Sequence, residues 1–234
     1  MSWTEALHDH GDALVETLAA RLAGICRDAI AARGHALLAL AGGRTPLPIY
    51  RRLAKENLDW HAVTVVPTDE RWVAHDHSAS NRRELAAAFA DATGIRLGAL
   101  VPAQPGDVPD TAQARLTLAD CRGDFDAVLL GMGNDGHFAS LFPGATNLGE
   151  ALAFDNADDV CVIHPDPLPP EAPFARVSLT AARLLRSRTS WLAITGERKL
   201  SALRDAQTTR DPQRLPIAAL LHAPQAHLHI HWSP

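Results

Sequence analysis

The chain has 234 residues, a formal net charge of −5, and 47% hydrophobic and 21% charged residues. That length suits one large domain with a substantial core, and the charge leaves no global positive field to hold nucleic acid or an anionic membrane. Cys26, Cys121 and Cys161 are odd in number, widely spaced and without a C-x-x-C pair, the opening residues lack the basic start and apolar run of a signal peptide, and no stretch approaches a membrane-spanning length, so a reducing, cytoplasmic location is expected.

Apolar residues at Ala6, Leu7, Leu14, Val15, Leu18, Leu22, Ile25, Cys26 and Ile30 recur at three-four spacing and predict a long amphipathic helix. ALLALA (36–41) is a continuous apolar run ended by Gly42-Gly43, as expected of a strand buried on both faces. Thr45-Pro46 then opens a helix through LPIYRRLAKEN. VTVVP (63–67) predicts a strand, and SNRRELAAAFADA (80–92) a helix with a Ser or Asn cap. Residues 110–121 read as helix, and DAVLLG (126–131) is the most strand-like run. Further strands are expected at 159–164, 189–195 and 226–232, with a helix over 196–206. Two Pro-rich stretches, VPAQPGDVP and PDPLPPEAP, read as ordered loops. Strands alternating with helices predict one α/β domain over residues 1–234, Rossmann-like, with a mostly parallel sheet covered by helices on both faces.

In such a sheet, ligands bind beyond the carboxyl ends of the strands. Four of those ends carry glycine or charge: Gly42 to Pro46, Thr68 to Arg71, Gly131 to His137, and Thr195 to Lys199. In LLGMGNDGHFASLFPG (129–144), Gly131, Gly133 and Gly136 spell G-x-G-x-x-G, the spacing of a dinucleotide turn. Pro143-Gly144 interrupts the helix such a turn needs, and Asp155, Asp158 and Asp159 precede the next strand, at the wrong end to reach a ribose. The alternative to a plain tight turn is a loop that brings backbone amides and His137 close to a ligand, with the histidine as proton carrier.

AGGRTP combines glycines, a hydroxyl and a helix start, which makes either a simple strand-to-helix turn or an anion site. Lys199 and Arg176 would add charge suited to a phosphate. Asp69 could orient a histidine or a substrate hydroxyl and Arg71 could hold an anion, or the TDERW acids and arginine form a local salt bridge. His227, His229 and His231 alternate onto one strand face but lack the carboxylate or cysteine companions of a metal site. Neither a serine nor a cysteine nucleophile stands out.

Taken together, LALAGGRTPLPIYRRLA, PTDERWVAHDHSASNRREL, LLGMGNDGHFASLFPG, RVSLT and TGERKLSAL resemble the bacterial 6-phosphogluconolactonases. These are one branch of a superfamily shared with glucosamine-6-phosphate isomerases (deaminases). The resemblance implies metal-free, cofactor-free hydrolysis of a small-molecule substrate, 6-phospho-D-glucono-1,5-lactone, with no nucleic-acid or membrane partner, by a monomer or weak homo-oligomer. It implies His137 as general base, Asp69 and Asp135 as the motif acids, and either of them as the residue that orients His137. It further implies substrate or phosphate contacts at Gly42, Gly43, Arg44, Thr45, Arg71, Gly133, Arg176 and Lys199.

The deaminase branch carries a glutamate five positions after the histidine, where this chain has Phe142. A sugar-phosphate sensor on the same fold would need a DNA-binding segment, for which the acidic first helix leaves no room. Three departures from the lactonase pattern stand out: Arg44 replaces a serine, Phe138 a threonine, and Ala74 a proline.

Overall fold

The structure is a computed structural model that describes residues 3–165, 173–224 and 227–234. In chain order the elements are β1 (Trp3–Leu7), α1 (Gly11–Arg33), β2 (Ala36–Leu40), α2 (Pro46–Leu53), β3 (Val63–Pro67), β4 (Asp69–Arg71), α3 (Asn81–Ala88), β5 (Arg96–Leu97), α4 (Ala112–Asp120) and β6 (Ala127–Leu130). Then follow α5 (Leu148–Leu152), β7 (Val160–Ile163), β8 (Arg176–Leu179), α6 (Ala181–Leu185), β9 (Ser190–Thr195), α7 (Glu197–Thr209), α8 (Ile217–His222) and β10 (Leu228–Ser233).

Seven strands form one sheet in the order β1-β10-β9-β6-β2-β3-β5, and every pairing in it is parallel. The continuous apolar runs follow from that arrangement, because successive residues of each central strand feed opposite cores. Leu38, Leu40, Ala127, Leu129 and Ala193 join α1, α2 and α3 on one face. Leu37, Ala39, Val128, Leu130, Leu192 and Ile194 join α4, α7 and α8 on the other. The sheet is therefore covered by helices on both sides, as the alternation of elements predicts.

Two features depart from the sequence reading. The predicted first helix begins only at Gly11, capped by the ring nitrogen of His10, which accepts from Ala13 N–H at 3.2 Å. Residues Trp3–Leu7 instead form an edge strand in register with Leu228–Trp232. Leu7 is 69% exposed, so its match to the helical period reflected spacing rather than a buried face. The second departure is a separate three-stranded antiparallel sheet, β4-β8-β7. The TDERW segment is thus a strand in its own right, RVSL pairs with it, and the predicted strand at 159–164 belongs to this small sheet rather than the parallel one. The Pro-rich loop PDPLPPEAP falls mostly outside the described residues.

His229 and His231 lie on β10, next to the edge strand β1. His231 is 1% exposed, and a 3.0 Å hydrogen bond joins its Nδ1 to Nε2 of His8. Burial, reinforced by His8 and Arg21, drives its pKa down to about 4. His229 Nδ1 bonds the Thr4 hydroxyl at 2.8 Å. These rings stitch β1 to β10. No helix among the described residues is long and apolar enough to cross a membrane.

Candidate active site

The chain runs outward from β2 through β3 to β5, then returns with β6 on the other side of β2. That reversal makes a switch point between β2 and β6, where loops diverge and leave a crevice at the carboxyl ends. A cavity of about 610 Å³ opens there, and its walls include all eleven residues singled out from the sequence. The neighbouring ends of β9, β6, β2 and β3 supply them, with β4 and β8 of the small sheet closing one side.

After β2, Gly43 adopts φ +100° in the left-handed region, which turns the chain into α2 with Pro46 at its start. Thr45 Oγ1 lies 3.1 Å from Thr195 Oγ1 at the end of β9. Arg44 sits close enough to Lys199, in the first turn of α7, to act on it electrostatically. Burial first, and then Arg44, lower the Lys199 pKa. On the opposite side Arg71 and Arg176 are cross-strand partners. Arg176 is 2% exposed, and burial followed by repulsion from Arg71 brings its pKa down to about 10. A bound anion would relieve both repulsions. Within a chain of net charge −5, Arg44, Arg71, Arg176 and Lys199 against Asp69 and Asp135 leave this cavity locally cationic.

The loop after β6 holds His137. Its Nδ1 lies 2.6 Å from Oδ1 of Asp135, which also accepts from the His137 backbone N–H at 3.2 Å. Burial alone would raise the Asp135 pKa, but the bond to the His137 ring and its charge outweigh that and hold the carboxyl below its ordinary value. With the carboxylate on Nδ1, the hydrogen-bond network assigns the proton there and leaves Nε2 as the acceptor. The carboxylate that contacts the imidazole is therefore Asp135. Asp69 turns elsewhere: Ser140 Oγ donates to its Oδ2 at 2.5 Å, and Thr68 Oγ1 to its Oδ1 at 3.1 Å.

The glycines of this loop act by their size. A Cβ on Gly133 would meet His137 Nδ1 at 2.2 Å and Asp135 Oδ1 at 2.4 Å, and one on Gly136 would meet Leu215 at 2.9 Å. The amides are used within the loop: Gly133 N–H donates to His137 O at 2.9 Å, and Gly136 N–H to Gly133 O at 3.1 Å, while Gly133 itself lines the cavity. Nor does a long helix follow, as a dinucleotide loop requires, since α5 has five residues and starts at Leu148.

Three contributors escaped sequence reading. Ser140 fastens Asp69, and Asn81 Nδ2 donates to the Asp69 carbonyl at 2.9 Å. Glu70 is fully buried and accepts from the backbone N–H groups of Arg71, Asn81 and Arg82 at 2.8, 2.7 and 2.7 Å and from Ser80 Oγ at 3.0 Å, tying β4 to the start of α3. An acid at a strand end, ten residues before a Ser-Asn helix start, was the available signal.

The fold and site define a doubly wound α/β protein with a histidine–aspartate pair in a cationic cavity at its switch point. The chain belongs to the family described as glucosamine-6-phosphate isomerases/6-phosphogluconolactonase, which matches residues 9–232. It is 37% identical over 231 residues to a 6-phosphogluconolactonase of Pseudomonas putida, covering 97% of this chain and 93% of that one. Identity to the 6-phosphogluconolactonase of Pseudomonas aeruginosa is 38% over 226 residues, 93% and 89% of the two chains. The crystal structure of a 6-phosphogluconolactonase from Shewanella baltica OS155 superposes with a TM-score of 0.89 at 32% identity, over 99% and 97% of the chains.

Proposed function

We propose that the protein hydrolyses 6-phospho-D-glucono-1,5-lactone to 6-phosphogluconate. The observation that carries this reading is the Asp135–His137 pair facing a cavity walled by Arg44, Arg71, Arg176 and Lys199. Names of the relatives agree with it, and the family description spans both lactonases and isomerases, so the chemistry of the site has to choose. His137 Nε2 takes a proton from water as its oxygen attacks the C1 carbonyl, and Asp135 stabilises the imidazolium that forms. Collapse of the tetrahedral intermediate breaks the bond from C1 to the ring oxygen, which leaves with the proton from His137. The products are a carboxylic acid, ionised at neutral pH, and a free hydroxyl. The phosphate lies among Thr45, Lys199 and the arginines, with the start of α2 beside it. Asp69 acts through Ser140, by fixing the loop that carries His137. The reading extends to a cytoplasmic enzyme working as one domain.

A lactone is already an activated ester, so one base and an anchored phosphate suffice. The deaminase reaction needs a further acid, and Phe142 occupies the position where the resemblance puts it. Freshly generated lactone should be consumed well above its spontaneous rate, whereas glucosamine 6-phosphate should release no ammonia. Ammonia release with no lactone turnover would reverse the choice.

Gly133→Ala probes the same pair from the backbone. Its methyl would displace His137 and Asp135, and a shift near 1 Å at a reacting group costs on the order of 10²-fold in rate. Lactonase turnover should fall by about that factor with the melting temperature nearly unchanged. Wild-type turnover would show that the pair does not need its observed position.

A further inference from the structure

The segment that follows His137 folds back on itself. Phe138 and Leu141 form an antiparallel bridge, with Leu141 N–H donating to Phe138 O at 3.0 Å. Between them Ala139 takes φ +47°, a left-handed conformation that costs a residue with a Cβ. Phe138 and Leu141 are both 0% exposed and belong to the core under the loop. Their pairing makes His137 and Phe142 the next facing pair, and both line the cavity.

The two rings meet with centroids 4.2 Å apart and planes inclined by 32°. Arg176 Cζ lies 5.8 Å from the Phe142 centroid, so the same ring also touches the guanidinium through its π system. One hydrogen bond at Nδ1 fixes a single point of an imidazole and leaves the ring free to tilt about that bond. A flat aromatic surface against its face removes that freedom. We propose that Phe142 is a positioning residue for His137, its ring holding the imidazole in the plane that presents Nε2 to the cavity. The strained turn at Ala139 is the device that delivers it.

This rests on His137 being the general base of lactone hydrolysis. Phe142→Leu keeps apolar bulk and removes the ring, Phe142→Ala removes both, and Phe142→Tyr keeps the ring. In steady-state assays, Phe142→Leu should lower kcat about tenfold and Phe142→Ala about 10²-fold, while KM for the lactone changes less than kcat, because Thr45, Lys199, Arg44 and Arg71 do not depend on the ring that Arg176 touches. Phe142→Tyr should restore kcat to within about threefold of the parent protein. Nitrogen-15 NMR of the His137 ring should report one tautomer, protonated at Nδ1, in the parent and Phe142→Tyr proteins, and partial loss of that tautomer in Phe142→Leu, where the tilting ring misaligns its bond to Asp135.

Parent-like kcat in Phe142→Leu overturns the proposal, as does a loss that Phe142→Tyr fails to restore. A parallel rise in KM with one retained tautomer also overturns it, in favour of a purely structural role. If His137→Ala keeps full activity, the base assignment fails and takes this proposal with it. If His137→Ala is inactive and Phe142→Leu is unaltered in kcat and tautomer, only the positioning role falls.

Discussion

His137→Ala should lose about 10²–10⁴-fold of its lactonase kcat, the usual range for deleting a general base. The assay has to generate the lactone in place and subtract its spontaneous hydrolysis, which sets the floor for the variant. Binding of 6-phosphogluconate, measured by calorimetry, should stay within about threefold of the parent, because the cations proposed to hold the phosphate are untouched. That split separates a proton carrier from a binding residue. Asp135→Asn should follow in the same direction, since the amide can present its N–H₂ to Nδ1 and impose the wrong tautomer. Full turnover in His137→Ala would remove the histidine from the mechanism.

The largest effect on stability is expected away from the chemistry. Glu70→Ala should cost about 3–5 kcal/mol, because three backbone N–H groups and the Ser80 hydroxyl would lose their acceptor together, and each buried donor left unsatisfied costs about 1–3 kcal/mol. Burial raises the Glu70 pKa, while the bonds from Arg82, Asn81 and Arg71 oppose that shift. The net rise fixes the sign of the pH effect. The folded state holds the proton more tightly than the unfolded one, so this group's contribution is greatest below the unfolded pKa and declines as pH rises through the folded value. Glu70→Gln keeps one acceptor oxygen but turns an N–H₂ toward a donor, so its loss should be smaller than that of alanine and still measurable. Urea titration with tryptophan fluorescence gives both values. A loss below about 1 kcal/mol for alanine would mean that water replaces the carboxylate.

How much of this was readable beforehand depends on what each residue answers to. Leu38, Leu40, Val128 and Leu192 declared their strands because burial on both faces demands unbroken apolar runs. The loops holding Gly43 and His137 could be placed together because each begins where such a run ends, at the edge where loops diverge. Trp3–Leu7 misled because five residues at an edge, only partly buried, carry no period of their own, and Ala6 and Leu7 happened to extend the helical spacing of α1. Arg176–Leu179 went unnoticed as a strand because it is only four residues long and pairs on one side with Asp69–Arg71, a three-residue strand about a hundred positions earlier. The choice between Asp69 and Asp135 could not be made from spacing. It turned on which carboxylate reaches the imidazole, and Asp135 does at 2.6 Å while Ser140 engages Asp69. Spacing left the purpose of Gly133 open as well, because a missing side chain reads the same whether it frees an amide or clears room for two neighbours.

The place of β10 in the sheet bears on how the molecule comes together. That strand lies between β9 and β1, so β1 acquires its ladder only when a segment more than two hundred positions later arrives, as the Thr4–His229 separation of 225 residues shows. Closing so long a loop is entropically costly and slow relative to the local pairings of β2 with β3. The first strand should therefore be the last part of the parallel sheet to acquire protection from hydrogen exchange during refolding. The imidazole contacts that join it to β10 would then serve as the final latch of assembly rather than as part of its nucleus.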